Sequence, residues 1–175
     1  LLMKWFYFDL PYEHNITSFF KNLLDYDCPI WLDSCAHATA GRYDILSAAP
    51  AKIFEINHRG QILVDKKNHL DLNDNFTDIL KNNIPQISAK IGDFTFSGAL
   101  GYFSYEFGVK QHNLKCENKA VHEMPQAWFG IYHWSIIIDH HLKVATLVYR
   151  NIDNLVLSVD QIKNFWIDAK KAYTL

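Results

Sequence analysis

Residues 33–44 read DSCAHATAGRYD and bring Asp33, Ser34, Cys35, His37, Arg42 and Asp44 into twelve positions. These are residue types of nucleophilic catalysis and of anion binding. A nucleophilic reading takes Ser34 or Cys35 as attacking group and His37 as base. Proximity in sequence supports it poorly, because triad members come from separate segments. No G-x-S-x-G elbow surrounds Ser34, and Cys35 follows a strand instead of opening a helix. A binding reading fits better. Ser34 at a strand end offers a hydroxyl donor and acceptor, Arg42 a fork suited to carboxylates, and Tyr43 an aromatic wall. Two facing strand ends of this kind could hold a small zwitterion. Equally, Arg42 could pair with Asp33 or Asp44 while Ser34 caps a turn.

Two other constellations are weaker. His112, Cys116 and His122 share one polar segment but supply three ligands without a fourth, and structural zinc takes four. His140 and His141 fall at an expected hairpin turn, where solvated polar residues belong. The stretch GALGYFSYEFG has neither GxGxxG nor GxxxxGK[ST], so a phosphate loop is not indicated. No metal site is expected.

The elements that must position these residues follow from periodicity. MKWFYFDL (3–10) reads as a strand stopped by Pro11. HNITSFFKNLLDY has Ile16, Phe19, Phe20, Leu23 and Leu24 at helical spacing, with Asn15 as candidate cap. IWLDS and RYDILSAAP are strands, the latter stopped by Pro50. AKIFEINHRGQILVD is a hairpin around Gly60. LNDNFTDILKNNI is a helix capped by Asn73 or Asp74 and ending before Pro85. FTFSGALGYFSYEFG (94–108) continues as a strand in which Gly98 and Gly101 mark a bulge or a close backbone approach. PQAWFGIYHWSIIID (125–139) is a long strand or a bent pair, turned by HHLK into VATLVYR. SVDQIKNFWIDAKKAY carries a capping box, Ser158 with Gln161, and an apolar stripe at Ile162, Phe165, Trp166 and Ala169. Residues 109–124 read as a loop. Hairpins dominate without regular βαβ alternation, which predicts an α+β fold with antiparallel sheet and helices outside.

Composition sets the remaining bounds. The chain has 175 residues, 49% hydrophobic and 21% charged, enough for one domain with a real core. Five Trp, nine Tyr and twelve Phe imply an aromatic core or broad buried interface. A net charge of −2 without a Lys/Arg block disfavours nucleic acid as partner. Cys28, Cys35 and Cys116 are odd in number and form no CxxC, which favours a reducing compartment. No apolar run approaches the ~20 residues of a membrane span, and LLMKWFYF is too short for a signal peptide. A cytoplasmic location is expected. The Leu-Leu-Met start reads as trimming or an added end.

Together, three segments resemble one family. WLDSCAHATAGRYDILSAAP is similar to the Ser…Arg-aromatic segment near the start of chorismate-utilising enzymes. GALGYFSYEFG looks like their GG-x-x-G-Y-F-x-Y-D segment. MPQAWFGIYHWSIIIDHHLKVATLVYR resembles P-D-x-x-x-G-I-Y-D-W-x-x-x-x-D-H of the aminodeoxychorismate synthase component I branch, the para-aminobenzoate synthase large subunits. The sister branch, anthranilate synthase component I, usually lacks the Gly-Ile-Tyr-x-Trp run found here at 130–134. The segments occur in order across most of residues 29–150.

The resemblance implies a fold of two packed, mainly antiparallel sheets with helices outside, of which 1–175 would be a single N-terminal domain. It implies a parent enzyme that aminates chorismate to 4-amino-4-deoxychorismate for para-aminobenzoate and folate synthesis. That enzyme takes ammonia from a glutamine amidotransferase subunit and uses Mg²⁺, which the resemblance places in the catalytic domain, with no cofactor expected in this chain. The family's later P-I-A-G-T-like or P-I-K-G-T-like segment does not occur here. The chorismate-binding catalytic domain is therefore expected to be absent, no catalytic residue is assigned, and the chain alone is expected to be inactive. In the family the first segment contacts a tryptophan, and the matching residues are Ser34, Arg42 and Tyr43. Gly41 stands where Ser is common, and Ala40 where an aromatic can stand, so weak or no tryptophan binding is expected. Sheet edges left open should favour self-association. The alternatives are an anthranilate synthase component I N-terminal domain, with tryptophan as feedback effector, and a stand-alone amino-acid-binding module.

Overall fold

The computed structural model describes residues 4–35, 41–68, 75–112, 123–150, 152 and 155–172. Its elements begin with β1 (Trp5–Leu10), α1 (Thr17–Leu23), β2 (Ile30–Leu32), β3 (Tyr43–Ser47), β4 (Lys52–Ile56), β5 (Ile62–Val64) and β6 (Lys67–Asn68). They continue with α2 (Phe76–Asn83), β7 (Ala89–Ile91), β8 (Phe94–Phe96), β9 (Ala99–Phe103) and α3 (Tyr105–Gln111). The last are β10 (Ala127–Ile131), β11 (Trp134–Asp139), β12 (Val144–Arg150) and α4 (Val159–Ala172). Every strand pair is antiparallel, so the α+β class holds. No helix among the described residues is long and apolar enough to cross a membrane.

The chain forms two compact units. The first comprises Leu1–Pro50, Pro85–Gly98 and Tyr132–Leu175. Its main sheet has the order β1-β12-β11-β3-β2, and β7-β8 is a separate hairpin. The central strand β11 is buried along its whole length, as its continuous apolar run predicts. Leu46, Ile136 and Leu147 lie side by side across three strands and share one face. That face packs on Phe19 and Leu23 of α1 and on Ile162 and Trp166 of α4. The predicted stripe is thus the docking face of α4. Its capping box is also present: Gln161 N donates to Ser158 Oγ, and Ser158 N donates to Gln161 Oε1. Such a cap contributes about 1 kcal/mol. Two buried serines between apolar residues bond neighbouring strands: Ser47 Oγ donates to Trp134 O and Ser135 Oγ to Leu46 O.

The second unit comprises Ala51–Ile84 and Ala99–Ile131. Its sheet has the order β6-β5-β4-β10-β9. Phe54, Ile56, Ala127 and Ile131 bury the apolar side of α2, formed by Phe76, Ile79 and Leu80. A Cβ at Gly101 would collide with the Trp128 carbonyl and Phe129 of β10. This is the close approach that a glycine inside a strand pattern predicts.

Several expectations are corrected. PQAWFGIYHWSIIID is the bent pair, its halves β10 and β11 joining different sheets. The strand predicted to run through 94–108 breaks at Gly98, whose φ is +93°, and ends at Phe103. Tyr105 starts α3 instead, because Ser104 Oγ accepts from Phe107 N and caps the turn. Val109–Gln111 are helical, not loop, while 113–122 lie outside the described residues. The cap of α2 is Asn75, whose Oδ1 accepts from Thr77 N; Asn73 and Asp74 lie outside the described residues. Asn15 accepts from Thr17 N one residue before the cap position, Ile16, so it braces the helix start without capping it. The short strands β6 and β7 were not predicted, being too brief to show periodicity.

Candidate functional site

Strand β3 sends successive side chains to opposite faces of its sheet. Its register with β11 sets Asp44 opposite Ile138 and Tyr43 opposite Asp139. The stretch 33–44 therefore serves two different places.

On the helix-covered face, Asp44 is buried at 3% exposure. Its Oδ1 accepts from Ser34 N at 2.9 Å and Ser34 Oγ at 3.1 Å; its Oδ2 accepts from Trp31 Nε1 at 3.2 Å. His140 Nε2 lies 3.4 Å from Asp44 Oδ2, with both side chains 5% exposed. The other ring nitrogen, Nδ1, shares a 3.0 Å hydrogen bond with the Tyr12 hydroxyl. The His14 ring stands edge-on to His140 at 5.8 Å. Burial, with added repulsion from Asp44 and Glu13, raises the Tyr12 pKa and keeps it a neutral phenol. Above Asp44 opens a cavity of about 350 Å³, walled by His14, Ile16, Trp31, Asp33, Cys35 and His140.

On the other side, Arg42 directs Nε and Nη2 to Asp139 Oδ2 at 3.0 and 2.7 Å, and Nη1 to Asp93 at 3.6 Å. Its guanidinium lies 4.7 Å from the centre of the Tyr43 ring, which meets Phe94 at 4.9 Å. Asp139 Oδ1 also accepts from His141 N and Leu142 N, closing the β11–β12 turn. Burial acts to raise the Asp139 carboxyl, but the bonds from Arg42 and the turn amides outweigh it and hold it below the usual range. Burial raises the Tyr43 phenol against the opposing charge of Arg42.

Of the predicted binding residues, Arg42 and Tyr43 stack on each other, whereas Ser34 is spent on Asp44. Arg42 pairs with Asp139 and Asp93, not with Asp33 or Asp44. Gly41 closes the stretch: a Cβ there would strike the Ser34 carbonyl. His37 and Ala40 lie outside the described residues, as do Cys116 and His122. Cys35 is exposed at positive φ, its amide donating to Asp33. His140, expected as solvated turn, instead turns its side chain inward, where Nδ1 shares a hydrogen bond with Tyr12 and the ring faces Asp44. Asp139 and His140 were missed as partners of this stretch. Their signal was the D-H pair closing the third family-like segment. Among the described residues no three His, Cys, Asp or Glu side chains converge to hold a metal ion.

The fold and site define an α+β protein of antiparallel sheets and helices, with a buried carboxylate beneath a small cavity. No family model matches the chain. Among curated proteins it is similar to aminodeoxychorismate synthase component 1 of Klebsiella aerogenes, with 38% identity over 77 residues. That stretch is 43% of this chain and 15% of the relative. The resemblance read from the three segments is borne out over this part of the chain.

Proposed function

We propose that the chain is the N-terminal region of an aminodeoxychorismate synthase component I. The parent protein would aminate chorismate to 4-amino-4-deoxychorismate, drawing ammonia from a glutamine amidotransferase subunit in the cytoplasm. The observation that carries this reading is the 38% identity to that enzyme, together with three family-like segments in family order. The region described here would be architectural and effector-facing, with chorismate chemistry on a C-terminal domain. The branch-like GIYHW run lies on β10 and the turn into β11, where it links the strands of the two sheets. Exposed aromatics on β1 (Phe6, Tyr7, Phe8) and β9 (Tyr102, Phe103) are surfaces such a domain or a second copy could cover.

The coding sequence beyond Leu175 tests this reading directly. A P-I-K-G-T-like segment downstream, and aminodeoxychorismate formed from chorismate and ammonia by the whole product, are expected. An alanine in place of that lysine with anthranilate as product, or a reading frame without the second domain, would overturn it.

Ser34, Arg42 and Tyr43 would form one edge of the tryptophan site. With Arg42 engaged by Asp139 and Ser34 by Asp44, this chain alone should bind tryptophan weakly or not at all. Calorimetry should show no saturation at micromolar tryptophan; a micromolar Kd would contradict this.

A further inference from the structure

The cavity over Asp44 belongs to neither the chorismate chemistry nor the Arg42–Tyr43 stack. Asp44 is a buried carboxylate whose hydrogen-bond donors, Ser34 N, Ser34 Oγ and Trp31 Nε1, are all neutral. A buried charge without a compensating cation is costly. The adjacent imidazole does not remedy this when neutral: His140 Nε2 is buried, faces Oδ2 at 3.4 Å and makes no hydrogen bond. Asp33 adds a second carboxylate at the rim, and no Lys or Arg lines the cavity among the described residues. Trp31 supplies an aromatic wall of the kind that attracts cations. At about 350 Å³ the space suits a small organic molecule rather than a bare ion, and no three metal-ligating side chains converge there.

We infer that this cavity is a binding site for a small organic ammonium ion, with Asp44 as counter-charge and Trp31 as wall. His140 stands at the edge of the cavity among polar groups. Tyr12 and His14 approach from the β1–α1 connection, with Glu13 adding negative charge beside Tyr12. Asp44 faces it from β3, Asp33 and Cys35 line the same cavity after β2, and Asp139 in the adjoining turn is neutralised by Arg42. The inference does not depend on the family reading.

The test is calorimetric titration of the whole chain with 2-phenylethylammonium, using 3-phenylpropionate and 2-phenylethanol as anionic and neutral analogues. Saturable one-site binding of the ammonium is expected, about tenfold or more tighter than either analogue. Asp44→Asn should abolish binding. If Asp44→Asn fails to fold, intermolecular NOEs from the ligand to Trp31 and Ile16 of the unmodified protein locate it. No binding, equal binding of the analogues, undiminished binding to folded Asp44→Asn, or NOEs to another region would each overturn the ammonium site.

Discussion

Trp166→Ala is expected to lower the unfolding free energy by about 3–5 kcal/mol, the range for truncating a large buried aromatic. Trp166 is 1% exposed on the face of α4 that docks against the first unit's main sheet. Its ring meets Phe19 of α1 edge-on at 5.1 Å, so truncation opens a cavity between the two helices. Its Nε1 donates to Pro11 O at 2.9 Å, fastening α4 to the connection between β1 and α1. Alanine removes the volume and leaves that carbonyl without its donor. Trp166→Phe keeps most of the volume and loses the bond, so it should cost about 1–2 kcal/mol. Urea unfolding followed by far-UV circular dichroism separates the two. Domains of this size are stabilised by about 5–15 kcal/mol, so Trp166→Ala should be visibly marginal. A loss below about 1 kcal/mol would show that α4 does not need this anchor.

Asp139→Asn is expected to cost about 2–4 kcal/mol at neutral pH. The carboxylate is 4% exposed and receives both Arg42 nitrogens on one oxygen and two turn amides on the other. An amide can still accept from the turn but presents no charge to Arg42, whose side chain is 28% exposed and recovers some hydration. The sign with pH follows from the lowered folded-state pKa. Because the folded state holds the proton less tightly than the unfolded chain, the stabilisation is present above the ordinary value of 3.8 and fades as pH falls through the folded value. The gap between wild type and Asp139→Asn should therefore be full at pH 7 and shrink below pH 3.8. Denaturant midpoints at neutral pH and about pH 3 measure it. An equal gap at both would mean that packing, not charge, gives Asp139 its weight.

What the sequence determined was mostly local. The capping box and apolar stripe of α4 are written in consecutive residues, since helix caps and amphipathic faces are interactions over one or two turns. The hairpins around Gly60 and HHLK specified antiparallel pairing for the same reason. Gly101 disclosed a close strand approach because only a missing Cβ permits it. Where local signals competed, the reading failed: aromatic alternation ran past Phe103 into YEFG, and the Ser104 cap that starts α3 looked like one more strand residue.

The pocket was decided by tertiary structure. Tyr43 and Asp44 are adjacent on β3, and strand alternation sends them to opposite faces; Ser34 joins Asp44, while Arg42, just before the strand, joins Asp139 opposite Tyr43. The partners that give these residues meaning come from distant segments: Tyr12 from the β1–α1 connection, Asp139 and His140 from the end of β11. Only the antiparallel register of β3 with β11 brings them together, and a one-residue slip would exchange the two faces. The residue types in DSCAHATAGRYD thus fixed which chemistry was possible, while the pleat and register of one sheet fixed which of them meet.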